Sequence, residues 1–196
     1  MKHTCLLILL ALSGAAAGEG FGLKPGLWEV SVVRQVMDGR DVTEQMAATR
    51  RQMAQQMQAG LANMPPERRK QMEAMLKGSG DMGGPIRVCV SAAMAAIDQP
   101  MVDPEGHCEP SKVAHSGNRT TFEFNCMSNG VGNRGRGESV ANGDTISVHN
   151  DVTTTTPQGS HTMQIDTSMK FQGRDCQGIK PFDELRKEFN SPPATK

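Results

Sequence analysis

The chain has 196 residues, 21 Lys plus Arg against 21 Asp plus Glu, and an aromatic content of 4% with no Tyr and one Trp. A formal charge of zero excludes a global field that would draw it onto nucleic acid or an anionic membrane. With so few rings the core must rest on Val, Ile, Leu, Met and Phe, and the length suits one domain of modest core size.

The chain opens as an export signal. Lys2 and His3 precede an apolar run from Leu6 to Leu12, and Ala15 and Ala17 are placed as an A-x-A cleavage site. The run is too short to span a bilayer, and no later run could do so. Residues 1–17 are expected to be removed, leaving an exported domain over 18–180 and a tail over 181–196. Ala15 stands where a lipoprotein box would need Cys, so a periplasmic or secreted product is expected rather than a lipid-anchored one. Cys5 leaves with the signal. An even set remains, Cys89, Cys108, Cys126 and Cys176, which in an oxidising compartment reads as two disulfides. Its spacings do not fit the closely spaced pairs of a zinc ribbon or finger.

"KPGLWEVSVV" starts the domain: Pro25-Gly26 marks a turn, and Leu27 to Val33 alternates as a strand with Trp28, Val30 and Val32 on its core face. A Met-rich stretch follows, from Met46 to Leu76. Met46, Met53, Met57 and Met64 are spaced 7, 4 and 7, which puts them within about 40° on one side of a helix. Asp41 or Thr43 can start that helix. Pro65-Pro66 must end it, because proline lacks the N–H and clashes with the preceding turn. Pro66 and Glu67 then suit the first turn of a second helix carrying Met72 and Met75. A helical hairpin inserted over about 42–77 is the expectation. "IRVCVS" reads as a short strand bearing Cys89, and Ser91 as the N-cap of a helical turn or two.

The rest reads as hairpins. A turn at Gly117 places Cys126 nearly opposite Cys108 or Glu109, which favours Cys108–Cys126 and leaves Cys89–Cys176. "NGD" at Asn142 to Asp144 is the strongest hairpin signal. A turn centred between Pro157 and Gln158 pairs 152 with 163 and 148 with 167, setting apolar against apolar. The fold class expected is thus α+β: a curved, mostly antiparallel, meander-like sheet of about six or seven strands with an inserted Met-rich helical hairpin, stapled by disulfides.

Three chemistries compete for the methionines. Packing in an irregular seam suits their flexibility. A second reading makes Met46, Met53, Met57, Met64, Met72 and Met75 an adaptable binding face. A third makes Met53, Met57, Met72 and Met75 thioether ligands for Cu(I), although the run has no M-x-M cluster and no His. His149 and Asp166 fall side by side across the predicted hairpin and offer a hydrolase reading, but no G-x-S-x-G elbow accompanies them. "NGVGNRGRGES" has the glycines of a phosphate loop without its Lys-Ser/Thr. Gly135 and Gly137 are expected to curve the sheet or leave a hollow against Ile146 and Val148.

"KPGLWEV", "MPPERRKQMEAML", "VCVS", Cys108, Cys126 and the closing "GRDC" follow one another in an order that resembles a bacterial exported-protein family filed as domain of unknown function 3617. The resemblance spans nearly the whole chain after the signal. It implies a periplasmic or secreted protein and supplies no catalytic residues. The expectation is a non-catalytic envelope module without a cofactor. Its partner would be an apolar small molecule or an envelope protein, with the copper and hydrolase readings as alternatives.

Overall fold

The computed structural model describes residues 21–76, 84–97, 110–128, 131–181 and 183–184. The expected signal at 1–17 and nearly all of the tail lie outside the described residues. In chain order the elements are β1 (Gly26–Met37), β2 (Arg40–Asp41), α1 (Thr43–Ala62), α2 (Pro66–Leu76), β3 (Ile86–Val90), α3 (Ala92–Ile97), β4 (Pro110–Ser116), β5 (Arg119–Ser128), β6 (Val131–Asn142), β7 (Thr145–Thr156) and β8 (Gly159–Gly173).

Local chemistry sets the hairpins, and one long-range pairing closes the fold. Strands β4 to β8 run as a meander, each antiparallel to the next. The last strand, β8, then lies against the first, β1. The other edge of β1 is shared: β3 takes Gly26–Val30 and β2 takes Val36 and Met37. The result is the expected α+β fold, an open antiparallel sheet with a helical pair after the first strand. Among the described residues it has eight strands rather than six or seven, the tight turn at Asp38-Gly39 adding the two-residue β2. Gly26, at φ +133°, lets β1 begin hard against the backbone of Gly173 and Arg174, where a Cβ would overlap them. At the far edge, Pro110, a register shift between Ser111 and Ala114, and Lys112 at φ +52° blunt β4 against further pairing.

Among the described residues the core divides into three clusters. Trp28, fully buried, packs with Phe21, Val90, Met94 and Ile146, and its ring meets Phe171 at 5.3 Å between centroids. Its indole N–H donates to the Lys24 carbonyl at 2.8 Å, so this anchor leaves no polar atom unmet. The second cluster, Leu27, Cys89 and Ile179, is fixed by the Cys89–Cys176 disulfide, which joins β3 to the segment after β8. The third is Phe122, Phe124 and Cys126 with Val113 and Val152 against it. Cys126 is disulfide-bonded; the expected partner, Cys108, lies outside the described residues.

The hollow expected at Gly135 and Gly137 is filled. Phe122 pairs across β5–β6 with Gly137, and Phe124 with Gly135. Their rings lie over the glycines, so that a Cβ on Gly135 would sit 2.6 Å from Phe124 Cζ and one on Gly137 would overlap Phe122 Cζ. The missing side chains make room for rings from the neighbouring strand, not for a ligand. The neighbours in β7 are Val152 and Asn150; Ile146 and Val148 pair instead with Ala141 and Ser139.

Helix α1 starts at Thr43 as expected but without a side-chain cap: Val42 holds the cap position, and Asp41 Oδ1 accepts from the Thr43 N–H at 3.0 Å just ahead of it. In α3 the expected cap forms, with Ser91 Oγ accepting from the Met94 N–H at 3.0 Å. Arg69 in α2 donates to the carbonyls of Ala62 and Met64, each at 3.1 Å. That satisfies acceptors orphaned at the end of α1 and fixes the turn at Pro65-Pro66.

Candidate functional site

Strand alternation gives the sheet one apolar and one polar face. Residues 152 and 163 pair, as do 148 and 167, which sets His149 opposite Asp166. On the polar face a cross-strand row runs Arg34, Asp166, His149, Glu138, and a second runs Gln164, Asp151, Arg136, Glu123. Arg34 reaches its row through a register shift between Val32 and Arg34 that leaves Val33 as an extra residue, 60% exposed. The bulge turns Arg34 onto the polar face and carries Gln35 and Met37 over to the apolar one. Sequence reading ended this strand at Val33 and so missed Arg34. The signal was the Val32-Val33 doublet, which interrupts an otherwise alternating run.

His149 sits between two carboxylates. Its Nδ1 is 2.5 Å from Asp166 Oδ1 and its Nε2 is 3.5 Å from Asp151 Oδ1. Asp151 in turn accepts from Arg136 Nε and Gln164 Nε2, each at 3.1 Å, and Arg34 lies 3.9 Å from Asp166 and 3.5 Å from Asp41. The hydrogen bond to Asp166 raises the His149 pKa above its ordinary value, against the opposing effect of burial. Burial pushes the Asp151 carboxyl up, but the hydrogen bonds from Arg136 and Gln164 and the charge of His149 outweigh it and leave that pKa lowered. A general base for a nucleophile needs a free ring nitrogen facing a hydroxyl or thiol. Here both nitrogens face acids, and the row is a ladder of opposed charges. Glu123 continues it to Lys112 at 2.6 Å, and Glu138 pairs with Arg119. An open trough of about 580 Å³ crosses this face past Arg134, Arg136, Asp151 and Gln164.

The methionines take a different disposition from packing. The side of α1 turned inward carries Met46, Ala47, Arg50 and Leu61 half-buried and Ala54 buried. The stripe of Met46, Met53, Met57 and Met64 is rotated from its centre by about 60°. Met53 is accordingly 61% exposed, Met57 45% and Met72 38%, while Met64 is half-buried; the side chain of Met75 lies outside the described residues. The expectation that thioethers fill a seam therefore fails at Met53 and Met57: the buried residue of α1 is the small Ala54 instead. At the start of the stripe, Met46 and Met37 line one cleft of about 490 Å³, with Asp38, Arg40, Val42 and Gln45 around it. Met37 comes from the apolar face of the sheet, paired with Met163, so this is where that face and the Met-rich helix meet.

Among the described residues no group of three or more His, Cys, Asp and Glu could hold a metal ion, and no helix is long and apolar enough to cross a membrane. The fold and these two surfaces define an open-sheet α+β scaffold with a helical insert. The family model described as "Protein of unknown function (DUF3617)" matches residues 23–176, and the chain belongs to that family. It is 33% identical over 107 residues to the "Uncharacterized protein in lpd-3 5'region" of Pseudomonas putida, a match covering 53% of this chain and 69% of that one. No solved structure matches.

Proposed function

We propose that this is a non-catalytic, exported binding module of the bacterial envelope that takes an apolar ligand or partner segment at the junction of the sheet and the Met-rich helix. The observation that carries this reading is the shared cleft of Met37 and Met46, opening onto a stripe whose next members, Met53 and Met57, stay in solvent. Exposed thioethers adapt to more than one shape, which suits a surface that binds apolar groups. Export is supported by the leader-like start of the chain and by the Cys89–Cys176 disulfide, a bond that persists in oxidising compartments.

Two measurements test this. Fractionation of the native host with N-terminal sequencing should place the mature protein outside the cytoplasm, beginning near Gly18. Nile red, a neutral apolar dye, should brighten on the purified protein, and Met37→Gln combined with Met46→Gln should remove most of that signal. A cytoplasmic protein with an intact start would end the export half of the proposal. Dye binding indifferent to the double substitution would end the binding half.

A further inference from the structure

Resting on that reading, we infer that the cleft ligand is a single-chain amphiphile with an anionic head, its chain between Met37 and Met46 and its head on Arg40. The cleft walls are unequal. Met37, Val42 and Met46 supply hydrocarbon and thioether, whereas Arg40 and Gln45 supply side-chain N–H donors. Arg40 lies on the two-residue strand β2 and is exposed. Among the described residues its guanidinium has no hydrogen-bond or ion-pair partner.

Its neighbours do not supply one. Asp38, an acid on the cleft wall, commits Oδ2 to His161 Nδ1 at 2.8 Å and Oδ1 to the Thr162 N–H at 2.8 Å, both on β8. Asp41, next in sequence, accepts from the Thr43 N–H at 3.0 Å and faces Arg34 at 3.5 Å. Both acids therefore direct their oxygens to other groups, and Arg40 lines the cleft with its guanidinium N–H donors uncommitted. A planar guanidinium pairs bidentately with a carboxylate or phosphate. A neutral ligand would leave it unmet. An anionic head on an apolar chain satisfies both walls at once.

The test compares two probes of equal chain length, octanoate and octanol, both below their aggregation limits. Methionine-methyl NMR reads the site, with Met127, exposed on β5 away from the cleft, as the internal reference. Octanoate is expected to shift the Met37 and Met46 methyls and to bind about fivefold more tightly than octanol, the increment of one exposed ion pair. Arg40→Gln should erase that difference and leave octanol binding as it was. Equal affinities for the two probes in the wild type, or a preference that survives Arg40→Gln, overturn the anionic head while leaving the apolar cleft standing. If neither probe moves the Met37 or Met46 methyls, the cleft itself is not the site, and the inference falls with it.

Discussion

His149 Nδ1 and Asp166 Oδ1 stand 2.5 Å apart across the β7–β8 pair, with Asp151 on the other side of the ring. The arrangement favours the imidazolium, so the His149 pKa lies above its ordinary value. A group whose folded pKa is raised stabilises the fold fully below its unfolded pKa, about 6.5 for His, and loses that contribution as pH rises through the folded value. Asp151 acts oppositely: its lowered pKa gives stability above the usual carboxylate range that is lost only on acidification. Between pH 6 and 8 the His149 effect should therefore stand alone of the two. The ring is 45% exposed, so screening holds the effect to about 1 kcal/mol or less, roughly 2–4 °C in Tm for a chain of this size. Melting curves should show lower Tm at pH 8 than at pH 6, and His149→Gln should flatten the difference. An imidazole titration by NMR with its midpoint at or below the ordinary value would contradict the account.

The β6 glycines make a sharper prediction. Phe122 and Phe124 occupy the space above Gly137 and Gly135. At Gly135 a Cβ would also meet the backbone oxygen of Asp151, which cannot rotate away. Gly135→Ala should destabilise by about 1–3 kcal/mol, the usual range for overpacking. Gly137→Ala should cost about the same or less, since the atoms it meets are ends of the Phe122 and Asn150 side chains. Gly60 in α1 is the control, with nothing within 4 Å of an added Cβ; Gly60→Ala should stabilise by up to about 1 kcal/mol through helix propensity. Urea denaturation of the three variants checks the order, and a neutral Gly135→Ala is the result that the packing cannot accommodate.

These residues also show where the sequence is legible. The turns at Asn142 to Asp144 and around Pro157 have strong local chemistry, and the registers they set, 148 with 167 and 152 with 163, follow from apolar alternation alone. His149 beside Asp166 came with that register. Three features resist such reading. The Val33 bulge changes which face Arg34 occupies, and a bulge shifts alternation by one residue without a strong residue signature. The rings over Gly135 and Gly137 depend on what the neighbouring strand presents. The pairing of β1 with β8 joins positions such as Trp28 and Phe171, a distance in sequence over which no local pattern speaks. The Met stripe misleads for a related reason: its helical spacing is real, but the buried residue of α1 is the small Ala54, on a side of the helix rotated away from that stripe.

The cross-links give a prediction about stability and connectivity together. Cys89 and Cys176 are separated by 87 residues, so their bond removes a large loop from the unfolded ensemble, with a chain-entropy worth of about 2–5 kcal/mol. It also pins the segment carrying Ile179 over Leu27. Cys89→Ala with Cys176→Ala should lower stability by that amount in denaturant titration, and dithiothreitol should lower the Tm of the wild type but move that of the double variant less. A non-reducing peptide map is expected to recover Cys89 with Cys176, and Cys126 with Cys108. A map joining Cys126 to Cys89 or Cys176 would refute the proposed connectivity.

The last prediction separates binding from packing in the helical pair. If Met53 and Met57 held the helix to the sheet, replacing them would open a seam and cost several kcal/mol each. Their exposure, 61% and 45%, predicts otherwise: Met53→Gln and Met57→Gln should each change stability by no more than about 0.5 kcal/mol, as for ordinary surface positions. Ala54 faces the opposite demand. It is buried on the inward side of α1, so Ala54→Leu should overpack the contact and destabilise by about 1–3 kcal/mol. A combination of silent Met53 and Met57 substitutions with a damaging Ala54 one would locate the packing side of α1 and leave the thioethers available for a ligand. Should the Met variants unfold the protein as readily as the Ala54 one, the stripe would be structural after all, and the binding role assigned to it would lose its physical basis.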